Sequence, residues 1–196
     1  MDYNIGLIEE LPVGIHERVN TLLVYTRVKP ATIYDIRYMH IDQGKEYHFL
    51  NHTKEEVERL EANLTRMQIP YKFQKKKMRL SQKRSIDTTS LCLGSTQENL
   101  ALLLGAKTDE ERGRAYGFPR TAIEAYLGIR PRYDNHYPAD IAPELIAIAQ
   151  YIKSAEFWRE ELKVAEQWLK QLRTNSFRLY HQFSSHSMEQ YSALPA

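Results

Sequence analysis

Only one cysteine, Cys92, stands among the 196 residues. No intrachain disulfide can form, which fits a reducing, cytoplasmic compartment. The first residues, Met1-Asp2-Tyr3-Asn4, lack the basic-then-apolar order of a secretory signal. No stretch approaches the ~18 consecutive apolar residues of a membrane span, so no membrane partner is expected. The sequence also lacks Gly-x-Ser-x-Gly, Gly-Lys-Ser/Thr, Gly-x-Gly-x-x-Gly and His-Glu-x-x-His. Those absences remove the local signatures of a hydrolase elbow, a phosphate loop, a dinucleotide fold and a zinc protease. No cofactor and no metal are expected.

What is present is ordinary in amount and uneven in placement. Hydrophobic residues make up 42% of the chain, enough for a real core, and 13 tyrosines add half-buried, hydrogen-bonding area. The net charge is +2. Residues 70–85 hold seven basic side chains and no acid; without them the 27 basic and 25 acidic residues leave the rest of the chain at −5. The molecule reads as mildly acidic with one basic segment.

The hydrophobic rhythm divides the chain. Residues 5–8 read as a short strand, and residues 20–29 as another, with a helix over 14–25 as the alternative. Residues 32–41 alternate best, with Tyr34, Ile36, Tyr38 and His40 on one face. A turn at Asp42-Gln43-Gly44-Lys45 leads into a returning strand over 46–50. Thr53 and Glu56 form a capping box before Val57, Leu60, Leu64 and Met67 at helical spacing. Pro70 ends that helix, and residues 71–80 return as a strand.

From residue 95 the period lengthens to about 3.6. Ser95 with Glu98, and Thr108 with Glu111, cap two short helices; Pro119 opens a third and Gly128 closes it. Residues 129–142 form a loop. Pro143 then starts the longest stripe, through Leu145, Ile148, Ile152, Ala155, Leu162, Ala165, Leu169 and Leu172. A last helix from Phe177 folds back on Phe177, Tyr180 and Phe183.

The fold class is therefore α+β. A small N-terminal mixed β-sheet with one or two helices (residues 1–94) packs on a C-terminal all-helical subdomain (95–196) containing one long amphipathic helix. The two halves are expected to behave as one cooperative unit.

Four sets of residues are candidates for chemistry. In the basic segment, Lys72, Lys75, Lys76, Lys77, Arg79, Lys83 and Arg84 could neutralise phosphates, with Tyr71 and Phe73 near enough to stack on a base. The alternative is an edge strand that uses lysine to discourage pairing. Around Gly117-Phe118-Pro119, the amides opening a helix could hold an anion with Arg114, Arg120 and Thr121; the alternative is a tight helical corner. The histidines pair poorly by spacing: His48 with His52, Asp134 with His136, His181 with His186. Cys92 sits between leucines and reads as a buried apolar residue rather than a reactive thiolate.

With no catalytic constellation, the expectation is a non-enzymatic binding or interaction protein. The first alternative is binding of RNA or DNA, or of an acidic protein surface, through residues 72–84. The second is an enzyme with a pocket between the sheet and the helical half, where Tyr38, His40, His48, Arg114, Arg120, Asp134 and His136 would meet.

Overall fold

The structure is a computed structural model. It describes residues 3–42, 45–50, 52–79, 84–134, 137–138, 140–149 and 151–192, with side chains for all but 37–42, 45–50, 77–79, 84–87 and 191–192. The expected turn glycine Gly44 lies outside these residues.

The α+β class holds, and the sheet differs from expectation in two ways. Four strands, β1 (Ala31–Asp42), β2 (Lys45–Leu50), β3 (Tyr71–Arg79) and β4 (Arg84–Gly94), lie in the order β2-β1-β4-β3. All three pairings are antiparallel, so the sheet is not mixed. Each of the two hairpins reverses the chain, and β4 slots beside β1 with Ala31 opposite Gly94. That central strand is the second difference, because the sequence reading assigned no strand after residue 80. Its polar Thr88, Thr89 and Ser90 hide the alternation. Ser90 is nonetheless buried and donates to Asp35 Oδ1 at 2.6 Å.

Both sheet faces are covered near the 31–36 and 88–94 ends. On one face Tyr34, Leu91 and Leu93, with Tyr71 and Phe73, join the main core. On the other, Cys92 and Ile33 pack with Ala31 against Leu100, Leu103, Ala115 and Tyr116. A bulge between Asp35 and Arg37 adds Ile36, which is 3% exposed, to the main core.

The start of the chain is helical, not extended: α1 spans Tyr3–Glu9 and α2 spans Ile15–Tyr25. Val19, Thr21, Leu22, Leu23 and Val24 of α2 are all buried. A helix surrounded on most sides loses its polar stripe, so its apolar run imitates a buried strand. The buried Thr21 hydroxyl donates to Glu17 O one turn back, which the helix alone makes available. Helix α3 (Lys54–Arg66) has the expected capping box, with Glu56 N donating to Thr53 Oγ1 and Thr53 N to Glu56 Oε2. It lays Leu60 and Leu64 on the sheet core.

The second half begins with α4 (Gln97–Gly105), whose N-cap is Thr96, one residue later than expected; its hydroxyl accepts from Asn99 N. Helices α5 (Asp109–Ala115) and α6 (Arg120–Tyr126) follow, α5 with its Thr108–Glu111 capping box. The expected long helix is two: α7 (Pro143–Ile148) and α8 (Trp158–Asn175). Between them Ile152 is 38% exposed, so the continuous stripe does not exist. The final helix, α9 (Phe177–Ser192), buries Leu179 and Phe183 and leaves Phe177 62% exposed, which corrects the expected anchor. One buried cluster holds residues from both sides of Gly94, including Leu22, Leu91, Trp168 and Phe183. No helix among the described residues is long and apolar enough to cross a membrane.

Candidate ligand-binding cleft

The corner between α5 and α6 builds the most distinctive concavity. Gly113 is needed there because a Cβ would lie 2.8 Å from Ile123 Cγ1. Gly117 is needed twice over: its φ is +74°, and a Cβ would lie 2.6 Å from Pro30 Cδ. The corner therefore presses onto Pro30 and sets the half-buried Tyr116 and Phe118 rings side by side, with centroids 5.3 Å apart. Phe118 meets Tyr151 at 5.2 Å, and Tyr151 meets Trp168 of α8 at 6.0 Å.

Tyr116, Phe118 and Tyr151 wall a cleft of about 340 Å³ that Tyr126, Asp109 and Arg112 also line. Pockets of this size, largely aromatic with a few converging polar groups, suit small organic ligands. Arg112 Nη2 donates to Asp109 Oδ1 at 2.7 Å. Arg112 Nε is buried and has no acceptor among the described residues. A guanidinium N–H in that state costs roughly 1–3 kcal/mol unless an acceptor reaches it. Burial, with smaller effects from Cys92 and Asp35, pushes the Tyr116 phenol up to about 12. Tyr151 is raised further, by burial first and then by Glu161, and its hydroxyl donates to Glu161 O at 2.6 Å. Both phenols keep their protons.

Two buried amines stand behind these walls. Lys29 is 2% exposed, donates to Asn20 Oδ1 at 2.7 Å, and lies over the rings of Trp168 and Phe118 at 4.9 and 5.6 Å. Burial drops its amine to about 7. The negative ring faces and the amide oxygen work the other way. Lys153 is 4% exposed, donates to Ala149 O and Tyr151 O, and lies over Tyr137 and Tyr151. Its amine is lowered to about 8 by burial, with Glu161 opposing.

The residues singled out in the sequence are distributed elsewhere. Arg114 is paired with Glu110, and Arg120 Nε with Glu124 Oε1 at 2.8 Å. Glu124 also holds Arg130, and the two arginines, Arg130 first, keep its carboxyl below the usual range. The basic groups beside Gly117 and Thr121 are thus neutralised by carboxylates one turn away. In the basic segment, Lys72, Lys75 and Lys76 are exposed on β3, which among the described residues pairs with β4 alone. By the register Lys72 and Lys76 share one face and Lys75 the other. Tyr71 and Phe73 contact each other at 6.2 Å and pack on the core, and Tyr71 shares a hydrogen bond with Thr65. The side chains of Lys77, Arg79 and Arg84, and all of Lys83, lie outside the described residues, as do His136 and the side chains of Tyr38, His40 and His48.

Among the described residues no three His, Cys, Asp or Glu side chains group to hold a metal. Cys92 is 1% exposed and burial pushes its thiol up to about 11, so it is not a thiolate at neutral pH. Sequence reasoning found the Gly117-Phe118-Pro119 corner but missed Lys29, Asp109, Arg112 and Tyr151. Tyr151 and Lys29 carry no local signal, since they reach the site from distant elements. A comparison with protein-family models, with curated proteins and with solved structures finds no match to this chain.

Proposed function

We propose that this chain is a non-enzymatic, cytoplasmic binding protein that takes an uncharged, planar heteroaromatic compound into the cleft of Tyr116, Phe118, Tyr126 and Tyr151. The observation that carries this reading is the cleft itself, walled by Tyr116, Phe118, Tyr126 and Tyr151 with the Asp109–Arg112 pair beside them. The Asp109–Arg112 pair sums to no charge, so it gives an anion little advantage. It presents instead a carboxylate acceptor next to a guanidinium donor, the complement of a ring edge that bears N–H beside C=O. The ring faces supply stacking, worth about 1–3 kcal/mol per ligand ring. The described lining groups offer donors, acceptors and ring faces, and pair no nucleophile with a base.

Calorimetric titration with thymine, guanosine and lumiflavin tests this. At least one binds, Tyr126→Ala weakens it about tenfold, and Arg112→Met does the same by removing the donor. Failure of all three to bind, or binding indifferent to both substitutions, removes the reading.

The free edge of β3 favours a second reading, contact with a polyanion through Lys72, Lys75 and Lys76. With Tyr71 and Phe73 held in the core, such contact would be electrostatic rather than stacked. Affinity for single-stranded RNA would fall steeply between 50 and 200 mM salt (roughly tenfold or more); a salt-independent result excludes it.

A further inference from the structure

We infer that occupancy of the cleft is coupled to deprotonation of Lys29 through the Phe118 ring, which is both a wall of the cleft and a cover over the amine. The inference rests on the binding reading above. Among the described residues, Lys29 Nζ has one hydrogen-bond acceptor, Asn20 Oδ1, and lies over two rings. The elements around it, among the described residues, bring no charge that moves its titration: α2 offers Asn20, the α5–α6 corner offers Phe118, and α8 offers Trp168. Tyr151 touches both rings and stays a neutral phenol. Burial lowers the amine, to about 7. Lys153, on the Tyr151 ring, is the other nearby group that titrates near neutrality.

An ammonium at this position is relieved when water reaches it. The Phe118 ring lines the cleft and its centroid lies 5.6 Å from Nζ, so a shift of that ring into the cleft would open a path for water to the amine. A ligand stacked on Phe118 and Tyr151 occupies the same space. Ligand and proton therefore compete, and by reciprocity each weakens the other. The ligand binds more tightly as pH rises through 7 and releases a proton as it does so.

The test is a residue-resolved NMR titration of lysine side chains in the full chain, from pH 5.5 to 9, with Lys29 assigned by its loss in Lys29→Met. It is run on the protein alone, with lumiflavin, and on Ile152→Trp, which places an indole at the half-exposed mouth of the cleft without any ligand. The Lys29 midpoint falls by about half a pH unit with either filler. Lumiflavin binds about threefold more tightly at pH 8 than at pH 6, and Lys29→Met abolishes that difference, which separates Lys29 from Lys153. An ordinary lysine midpoint in the free protein overturns the inference, as does a midpoint unmoved by both fillers. If lumiflavin binds and the midpoint does not move with it, the coupling fails and the binding reading stands. If Ile152→Trp moves the midpoint and lumiflavin does not bind, the coupling stands and the ligand class falls.

Discussion

Glu161 holds Ser154 by two hydrogen bonds, accepting from its backbone N–H at 2.9 Å and from its hydroxyl at 2.7 Å. Ser154 Oγ in turn accepts from Phe157 N at 3.1 Å. Both residues are buried, and the arrangement folds the chain into the turn that leads to α8. It also sets Tyr151, whose hydroxyl donates to Glu161 O, against the cleft.

Glu161→Ala strands the Ser154 amide and hydroxyl away from water. The loss is on the order of 3 kcal/mol, read as a lower urea midpoint. The exposed Glu166→Ala on the same helix changes stability by no more than about 0.5 kcal/mol. Equal effects at the two positions would show that the Ser154 bonds contribute nothing.

The buried lysines make stability depend on pH with a definite sign. Lys29 gives up its proton near pH 7 in the folded chain and near the ordinary lysine value of about 10.4 when unfolded. Between those values the unfolded chain holds the extra proton, so stability rises with pH. Lys153 adds to the rise above about pH 8. Lys29→Met removes its share, on the order of 3–5 kcal/mol across that window, and leaves a shallower profile. Denaturant midpoints from pH 6 to 10 measure it; a wild-type profile that falls over this range contradicts the burial of both amines.

Among the described residues, two non-glycine residues adopt left-handed backbone, Arg27 at φ 61° and Gln68 at φ 57°. Both follow a helix end: Val28 N donates to Leu23 O, and Ile69 N to Leu64 O, the wrap that glycine usually makes. Gln68→Gly relieves about 1–2 kcal/mol of steric cost against about 0.5–1 kcal/mol of added chain entropy. It stabilises by about 0.5 kcal/mol. Gly117→Ala does the reverse, by about 2 kcal/mol or more, because its Cβ meets Pro30. Thermal unfolding of the two variants should move in opposite directions.

The docking of α9 is testable by its periodicity. Phe183→Ala removes a fully buried ring and costs about 3–5 kcal/mol, while Phe177→Ala costs less than about 0.5 kcal/mol. The reverse order in chemical denaturation would show that the helix packs on its other face.

Local chemistry was legible wherever a side chain meets its own neighbourhood. The capping boxes at Thr53 and Thr108 form as read, because a hydroxyl, an amide and a glutamate three residues apart need nothing from the rest of the chain. The best strand, residues 32–41, is β1 for the same reason: its alternation is set by the pleat. The basic segment was visible as composition, and its division between two faces follows from that same pleat once the strand is placed.

The cleft was half legible. Gly117-Phe118-Pro119 marked a tight corner, since glycine is the residue that tolerates such approach and such φ. Nothing near Lys29 or Tyr151 in sequence announces that they meet Phe118, since they come to it from the end of α2 and from beyond α7.

What the sequence determined by itself is the α+β class, the caps and the rhythm of each surface-facing element, for these depend on contacts within a turn or a strand. Tertiary structure decided whether residues 15–25 coil or extend, where β4 lies, and where the long stripe breaks. Those outcomes depend on burial from several sides at once, and on bonds such as Glu161 to Ser154 that one continuous helix would not make. The site belongs to the second group, because a buried amine, an unpaired guanidinium N–H and four rings acquire a common chemistry only after the chain has closed around them.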